Sequence, residues 1–171
     1  MPGSRNTAFQ TANHNHRACV REALANAEAL CTERGLRLTP LRRRVLELVW
    51  DSHRPQGAYD LLDKLDHGAG PGAKAPPTIY RTLEWLRDQG FVHRIESLNA
   101  FIGCPKPEDD EGEGHSRQFF ICEDCGAAAE LQDEDVETAI QAQAKRLGFV
   151  VAERTVEIRG RCPSCRSGAS R

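Results

Sequence analysis

Apolar residues recur at helical spacing four times in the first ninety or so positions, and the stretches between them are short and polar or rich in Gly and Pro. Val20, Leu24, Ala27, Leu30 and Cys31 share one face of a helix predicted from about Arg17 to Arg34, which Gly35 can end in the left-handed conformation. Thr39-Pro40 opens a second helix: the hydroxyl can cap free N–H groups, proline is tolerated in the first turn, and Val45, Leu48 and Val49 face inward. After a turn over His53 to Gly57, residues 58–65 form a short third helix, and residues 68–76 read as a loop by composition. The fourth helix, from about Pro77 to Gln89, carries Ile79, Leu83 and Leu86 as its buried stripe and turns Tyr80, Arg81, Glu84 and Asp88 to other faces.

The pattern then becomes that of a hairpin, Phe91 to Glu96 and Phe101 to Cys104, around a turn at residues 97–100. Three helices, a reading-type helix and a hairpin in this order predict a winged helix-turn-helix. With Leu98 and Asn99 as the two turn residues, Ile95 faces Ile102 and His93 faces Cys104, on one side of the ribbon. Residues 105–117 are acidic and contain Gly and Pro, as a hinge does. Beyond them lie an apolar strand through Phe119, Phe120 and Ile121, a return strand over residues 127–131 and a helix opened by Asp133. That helix has Val136, Ile140, Ala144 and Leu147 spaced for burial, and a strand follows from Phe149 to Ile158. The expected fold is therefore α+β: a tail over residues 1–16, a winged-helix domain over 17–104, the hinge over 105–117, and a small α/β domain over 118–171.

Charge supports the division. Residues 1–104 hold 14 Lys or Arg against 11 Asp or Glu, and residues 105–171 hold 9 against 14, so a net charge of −2 conceals a basic front half. That excess is too small to establish nucleic-acid binding by itself. Met1 to Asn15 is polar and no stretch approaches the ~20 apolar residues of a membrane span, so a cytoplasmic location is expected. There, seven cysteines point to metal or reactive thiols more than to disulfides.

The chemistry concentrates in two knuckles, Cys122-Glu-Asp-Cys125-Gly126 and Cys162-Pro-Ser-Cys165. Two thiolates three positions apart grip one face of a metal, and a second pair completes the tetrahedral sulfur shell that suits zinc. Two redox dithiols or two disulfides are the competing readings. The chain also offers His93, Cys104, His115 and Glu130. This mixed nitrogen, sulfur and oxygen set satisfies tetrahedral zinc, although each of the four has an ordinary explanation when taken singly. Thr78, Tyr80 and Arg81 near the start of the fourth helix are candidate DNA contacts, with Arg42 on the early turns of the second helix and Tyr59 on the third. The alternative is an amphipathic helix with a salt-bridged surface. Cys19 and Cys31 read as helix residues, and His14 and His16 as solvated tail.

Four pieces of the chain resemble the ferric uptake regulator family, and most closely its zinc uptake regulators: Arg37-Leu38-Thr39-Pro40-x-Arg42, Pro77 to Leu83, Gly90 to Glu96, and Phe120-Ile121-Cys122-x-x-Cys125-Gly126 with the second cysteine pair. The resemblance implies a dimeric repressor that binds AT-rich palindromic DNA when metal-loaded. It implies two zinc ions per chain, with Cys122, Cys125, Cys162 and Cys165 as structural ligands and His93, Cys104, His115 and Glu130 as regulatory ones. Gly114-His115-Ser116-Arg117 lacks the His-rich run of iron and peroxide sensors, and the Cys104 thiolate favours zinc over ferrous iron. The rivals are an iron, peroxide or thiol sensor of the same family, a structural winged-helix and zinc-ribbon module, and a zinc hydrolase or deaminase. The last lacks its His-x-Glu signature, so no catalytic residue is expected and the protein is read as a non-enzyme.

Overall fold

The computed structural model describes Phe9 and residues 16–65, 75–107, 117–152 and 154–168, and the chain divides into two compact units. The first contains α1 (His16–Glu33), α2 (Pro40–Trp50), β1 (Gln56–Gly57), α3 (Ala58–Lys64), α4 (Pro76–Asp88), β2 (Val92–Ile95) and β3 (Ala100–Gly103). Thr39 caps α2, its Oγ1 accepting from the Arg42 N–H at 3.3 Å, as the Thr-Pro pair leads one to expect. The helical stripes converge: Ala27 and Cys31, Val45 and Val49, Leu61, and Ile79, Leu83 and Leu86 are all buried, with Phe91 beside them. α4 begins at Pro76 rather than Pro77, and β1, β3 and β2 pair antiparallel in that order. This is a winged helix-turn-helix.

The hairpin register differs from the expected one. Ile95 pairs with Ala100, Arg94 with Phe101, His93 with Ile102 and Val92 with Gly103. The connection uses four residues instead of two: Glu96–Leu98 form a 3-10 turn, and Asn99 follows in the left-handed conformation at φ 47°. Ile95 therefore does not face Ile102, and His93 does not face Cys104 directly. The slip is two residues, an even number, so each side chain keeps its face of the ribbon and Cys104 becomes the diagonal neighbour of His93.

The second unit contains β4 (Arg117–Cys122), β5 (Ala128–Leu131), α5 (Glu134–Leu147), β6 (Thr155–Gly160) and α6 (Pro163–Arg166). Its sheet order is β5-β4-β6, with β5 antiparallel and β6 parallel to the central β4. A parallel neighbour needs a crossover, and α5 supplies it. Asp133 caps α5, accepting from the Asp135 and Val136 N–H groups at 3.0 and 3.2 Å, and Gly148 closes it.

Two expectations fail here. Of the stripe predicted for burial on α5, only Ala144 is buried; Val136 and Leu147 are exposed and Ile140 half-buried. The predicted strand from Phe149 begins only at Thr155, and Phe149 and Val150 lie exposed in an irregular stretch. Periodicity identifies an apolar face but not what covers it, and within this unit these side chains have no covering layer. Among the described residues no helix is long and apolar enough to cross a membrane.

Candidate metal centres and nucleic-acid interface

Parallel pairing of β4 with β6 runs to Cys122 opposite Gly160, so both strands deliver a knuckle at the same end of the sheet. The first knuckle is folded by Cys122 N–H to Ala127 O at 2.8 Å and Gly126 N–H to Cys122 O at 2.9 Å. Gly126 has φ 72°, a conformation glycine adopts without Cβ strain. In the second knuckle Cys162 starts α6, and its Sγ accepts from the Cys165 N–H at 3.4 Å. Contacts that cross between them include Cys162 N–H to Cys122 Sγ at 3.3 Å and an Arg161–Asp124 ion pair at 2.6 Å.

One ligand atom from each of Cys122, Cys125, Cys162 and Cys165 lies within 4.8 Å of the others. The Cys125 and Cys162 sulfurs are 3.8 Å apart. A tetrahedron with Zn–S bonds of ~2.3 Å has edges of about 3.8 Å, so the pair already stands at the separation zinc imposes. A disulfide would need ~2.05 Å, and all four cysteines are free thiols. The donor set and its spacing fit a tetrahedral zinc ion.

Local electrostatics prepare the first knuckle for metal. Burial acts to raise the pKa of Cys122, but N–H groups of Cys125, Cys162 and Asp124 aim at its sulfur and bring it down to about 6. Cys125 moves the opposite way, raised by burial first and then by the Cys122 and Cys162 sulfurs, against the Ala127 N–H and Cys165.

The first unit carries a second donor pair. His93 on β2 and Cys104, just past β3, are both buried, and a ring nitrogen and the thiol sulfur lie within 4.8 Å of each other. Cys104 is fixed by its N–H to Phe91 O at 3.0 Å, and a Cβ on Gly103 would lie 2.3 Å from the Trp50 ring. Trp50 packs onto the backbone beside Cys104. The sequence reading did not single it out, and only the bare Gly103 in an otherwise apolar strand hinted at such a close approach. Glu130 is half-buried on β5 of the second unit, paired across the strand with Phe119, and His115 lies outside the described residues.

On the reading face, Arg81 is exposed and makes no ion pair among the described residues. Tyr80 is half-buried and meets the exposed Tyr59 edge-on, ring centroids 6.4 Å apart. The half-buried Thr78 offers its carbonyl to the Thr82 hydroxyl at 2.8 Å. Arg42 is differently placed: its guanidinium lies 3.7 Å from the Trp85 ring centroid, and Nη1 donates to Arg37 O at 2.8 Å.

The profile of the Ferric uptake regulator family matches residues 33–159. The chain belongs to the ferric uptake regulator family. Among relatives within it, the zinc uptake regulation protein of Escherichia coli K12 is 41% identical over 146 residues, 85% of this chain and 82% of that protein. The zinc uptake regulation protein of Mycobacterium tuberculosis H37Rv is 28% identical over 139 residues, 78% of this chain and 97% of that one. Among solved structures, a zinc uptake regulator complexed with zinc and DNA superposes with a TM-score of 0.76 at 36% identity, over 89% of this chain and 98% of its own. Holo XcZur gives 0.75 at 43% identity, over 85% and 98%.

Proposed function

We propose that this ferric uptake regulator family member is a zinc-responsive transcriptional repressor that binds operator DNA as a zinc-loaded homodimer and controls zinc uptake genes. What carries the reading is the buried His93–Cys104 pair within the unit that reads DNA, in a chain 41% identical to a zinc uptake regulation protein. A nitrogen and a thiolate suit zinc better than ferrous iron.

In finer terms, the proposal gives each chain two zinc ions. Cys122, Cys125, Cys162 and Cys165 would hold a closed, structural one, and a closed sulfur shell leaves no open position for catalysis. His93 and Cys104, with His115 and Glu130 as the resemblance implies, would take the regulatory one. A zinc ion held there would be bound by His93 on β2 and Cys104 just past β3, and these two ligands would hold the end of the wing hairpin in one arrangement. Arg81 would fork onto a base edge, with Thr78, Tyr80 and Tyr59 placing the helix on an AT-rich palindrome. The homodimer is supported by exposed Val136, Leu147, Phe149 and Val150, an apolar set that a second copy can cover. A regulator of this kind acts in the cytoplasm.

The decisive experiment is a gel shift with operator DNA across a zinc titration, using wild type, His93→Ala and Cys104→Ala. The variants are expected to stay folded and dimeric and to retain the four-cysteine zinc while losing the zinc-dependent shift. Equal zinc response in all three proteins would remove His93 and Cys104 from sensing. Binding that follows ferrous iron or peroxide at saturating zinc would replace zinc as the signal.

A further inference from the structure

The start of α2 presents Arg42, Arg43 and Arg44 on its early turns, where an arginine could meet a phosphate backbone. The structure separates them. Arg43 pairs with Glu28 at 2.7 Å and Arg44 with Glu47 at 2.6 Å, both exposed ion pairs that a phosphate could displace. Arg42 is committed twice over: its Cζ sits over the Trp85 ring, 3.7 Å from the centroid, and Nη1 donates to the Arg37 carbonyl at 2.8 Å. Its backbone N–H is taken as well, by the Thr39 cap.

We propose that Arg42 is a positioning residue that sets the rotation of α4 through Trp85, and that it is not a phosphate contact. This rests on the reading of α4 as the helix that enters the groove. Trp85 follows Arg81 by four residues, so the two stand one turn apart on the same side of α4. A guanidinium anchored to the capped start of α2 and pressed on Trp85 therefore fixes the direction in which Arg81 leaves the helix. No side-chain cap fixes the start of α4, its N-cap position being Ala75, so packing farther along the helix is left to set its orientation. On its other flank Trp85 leans on Phe91, ring centroids 6.1 Å apart. The brace is specific to a flat, delocalised cation: lysine carries the charge but can neither lie flat on the indole nor keep the same fork to Arg37 O.

The test uses the full-length, zinc-loaded protein and measures affinity for operator and random duplexes at several salt concentrations. The proteins are wild type, Arg42→Ala, Arg42→Lys, Trp85→Leu and the Arg42→Ala/Trp85→Leu double variant. Both Arg42 variants are expected to bind operator about tenfold more weakly and to lose part of their preference over random DNA, with the slope of log K against log salt unchanged. The double variant is expected to be no worse than the weaker single one, as for two residues acting as a unit. The proposal is overturned if Arg42→Ala shallows the salt slope by about 0.9 and Arg42→Lys restores it, the signature of one lost phosphate contact. Should Arg42→Ala fail to fold, Arg42→Lys and Trp85→Leu decide alone: lysine matching wild type in affinity and preference refutes the brace. Arg81→Ala is the control on the underlying reading. If it leaves the preference for operator unchanged, α4 is not the reading helix, a failure distinct from any change of slope at Arg42.

Discussion

Replacing Cys162 by serine tests what holds the second unit together. Its buried apolar side chains are few: Phe119 and Ile121 are large, and Ala128, Ala129 and Ala144 are small. At 1.5 to 3 kcal/mol for each large side chain, Phe119 and Ile121 together contribute about 5 kcal/mol. A structural zinc ion contributes ~10 kcal/mol or more, which exceeds that apolar contribution and is comparable to the whole stability of a small domain. Serine keeps the geometry that Cys162 supplies as an N-cap, where its side chain accepts from the Cys165 N–H. It removes the soft thiolate, so the substitution isolates ligation from shape. Cys162→Ser is expected to lose its tightly held zinc and to exchange amide hydrogens over residues 117–168 at nearly unfolded rates. Residues 16–65 and 75–107 should stay protected, because their core, which includes Leu46, Leu61, Leu83 and Phe91, is built from the first unit's own elements. The assay is hydrogen exchange read by mass spectrometry, alongside zinc content. Wild-type protection across β4 to β6 in a zinc-depleted variant would refute the view that metal, not the apolar core, carries this unit.

One further outcome follows from the geometry. Gly103→Ala places a Cβ 2.3 Å from the Trp50 ring and should destabilise the first unit by about 1 to 3 kcal/mol, with partial recovery in Gly103→Ala/Trp50→Leu; a thermal melt reads both.

The residues whose chemistry is local were legible in the sequence. Cys-x-x-Cys followed by glycine specifies a knuckle because the turn, the N–H-to-sulfur geometry and the ligands all lie within five residues. The same holds for Thr39-Pro40 at the start of α2 and the Ile79, Leu83, Leu86 stripe of α4, where one helical period decides the buried face. The His93–Cys104 pair was legible for a weaker reason. A loop of four residues in place of two changed the register, and only the even size of the slip kept both side chains on one face. Arg42 was legible as a cation but not as an occupied one, because its partner Trp85 lies 43 positions away and no periodicity links them.

The apolar positions on α5 and just beyond it show why the remainder was hidden. Hydrophobic spacing predicts that a face avoids water and is silent on whether the cover comes from the same chain. In the first unit four helical stripes find each other and the inference to burial succeeds. In the second the sheet has only three strands, and α5 covers little of it beyond Ala144, so Leu147, Phe149 and Val150 stay exposed at 81%, 66% and 88%. A lone globular unit that exposed so much apolar surface beside so small a core would gain little by folding. In the proposed zinc-loaded homodimer this shortage would be met in two ways: zinc would substitute for missing core, and a second copy would cover the face that the core could not enclose. Zinc removal should therefore cost the dimer as well as the fold of this unit, and the two losses should occur together.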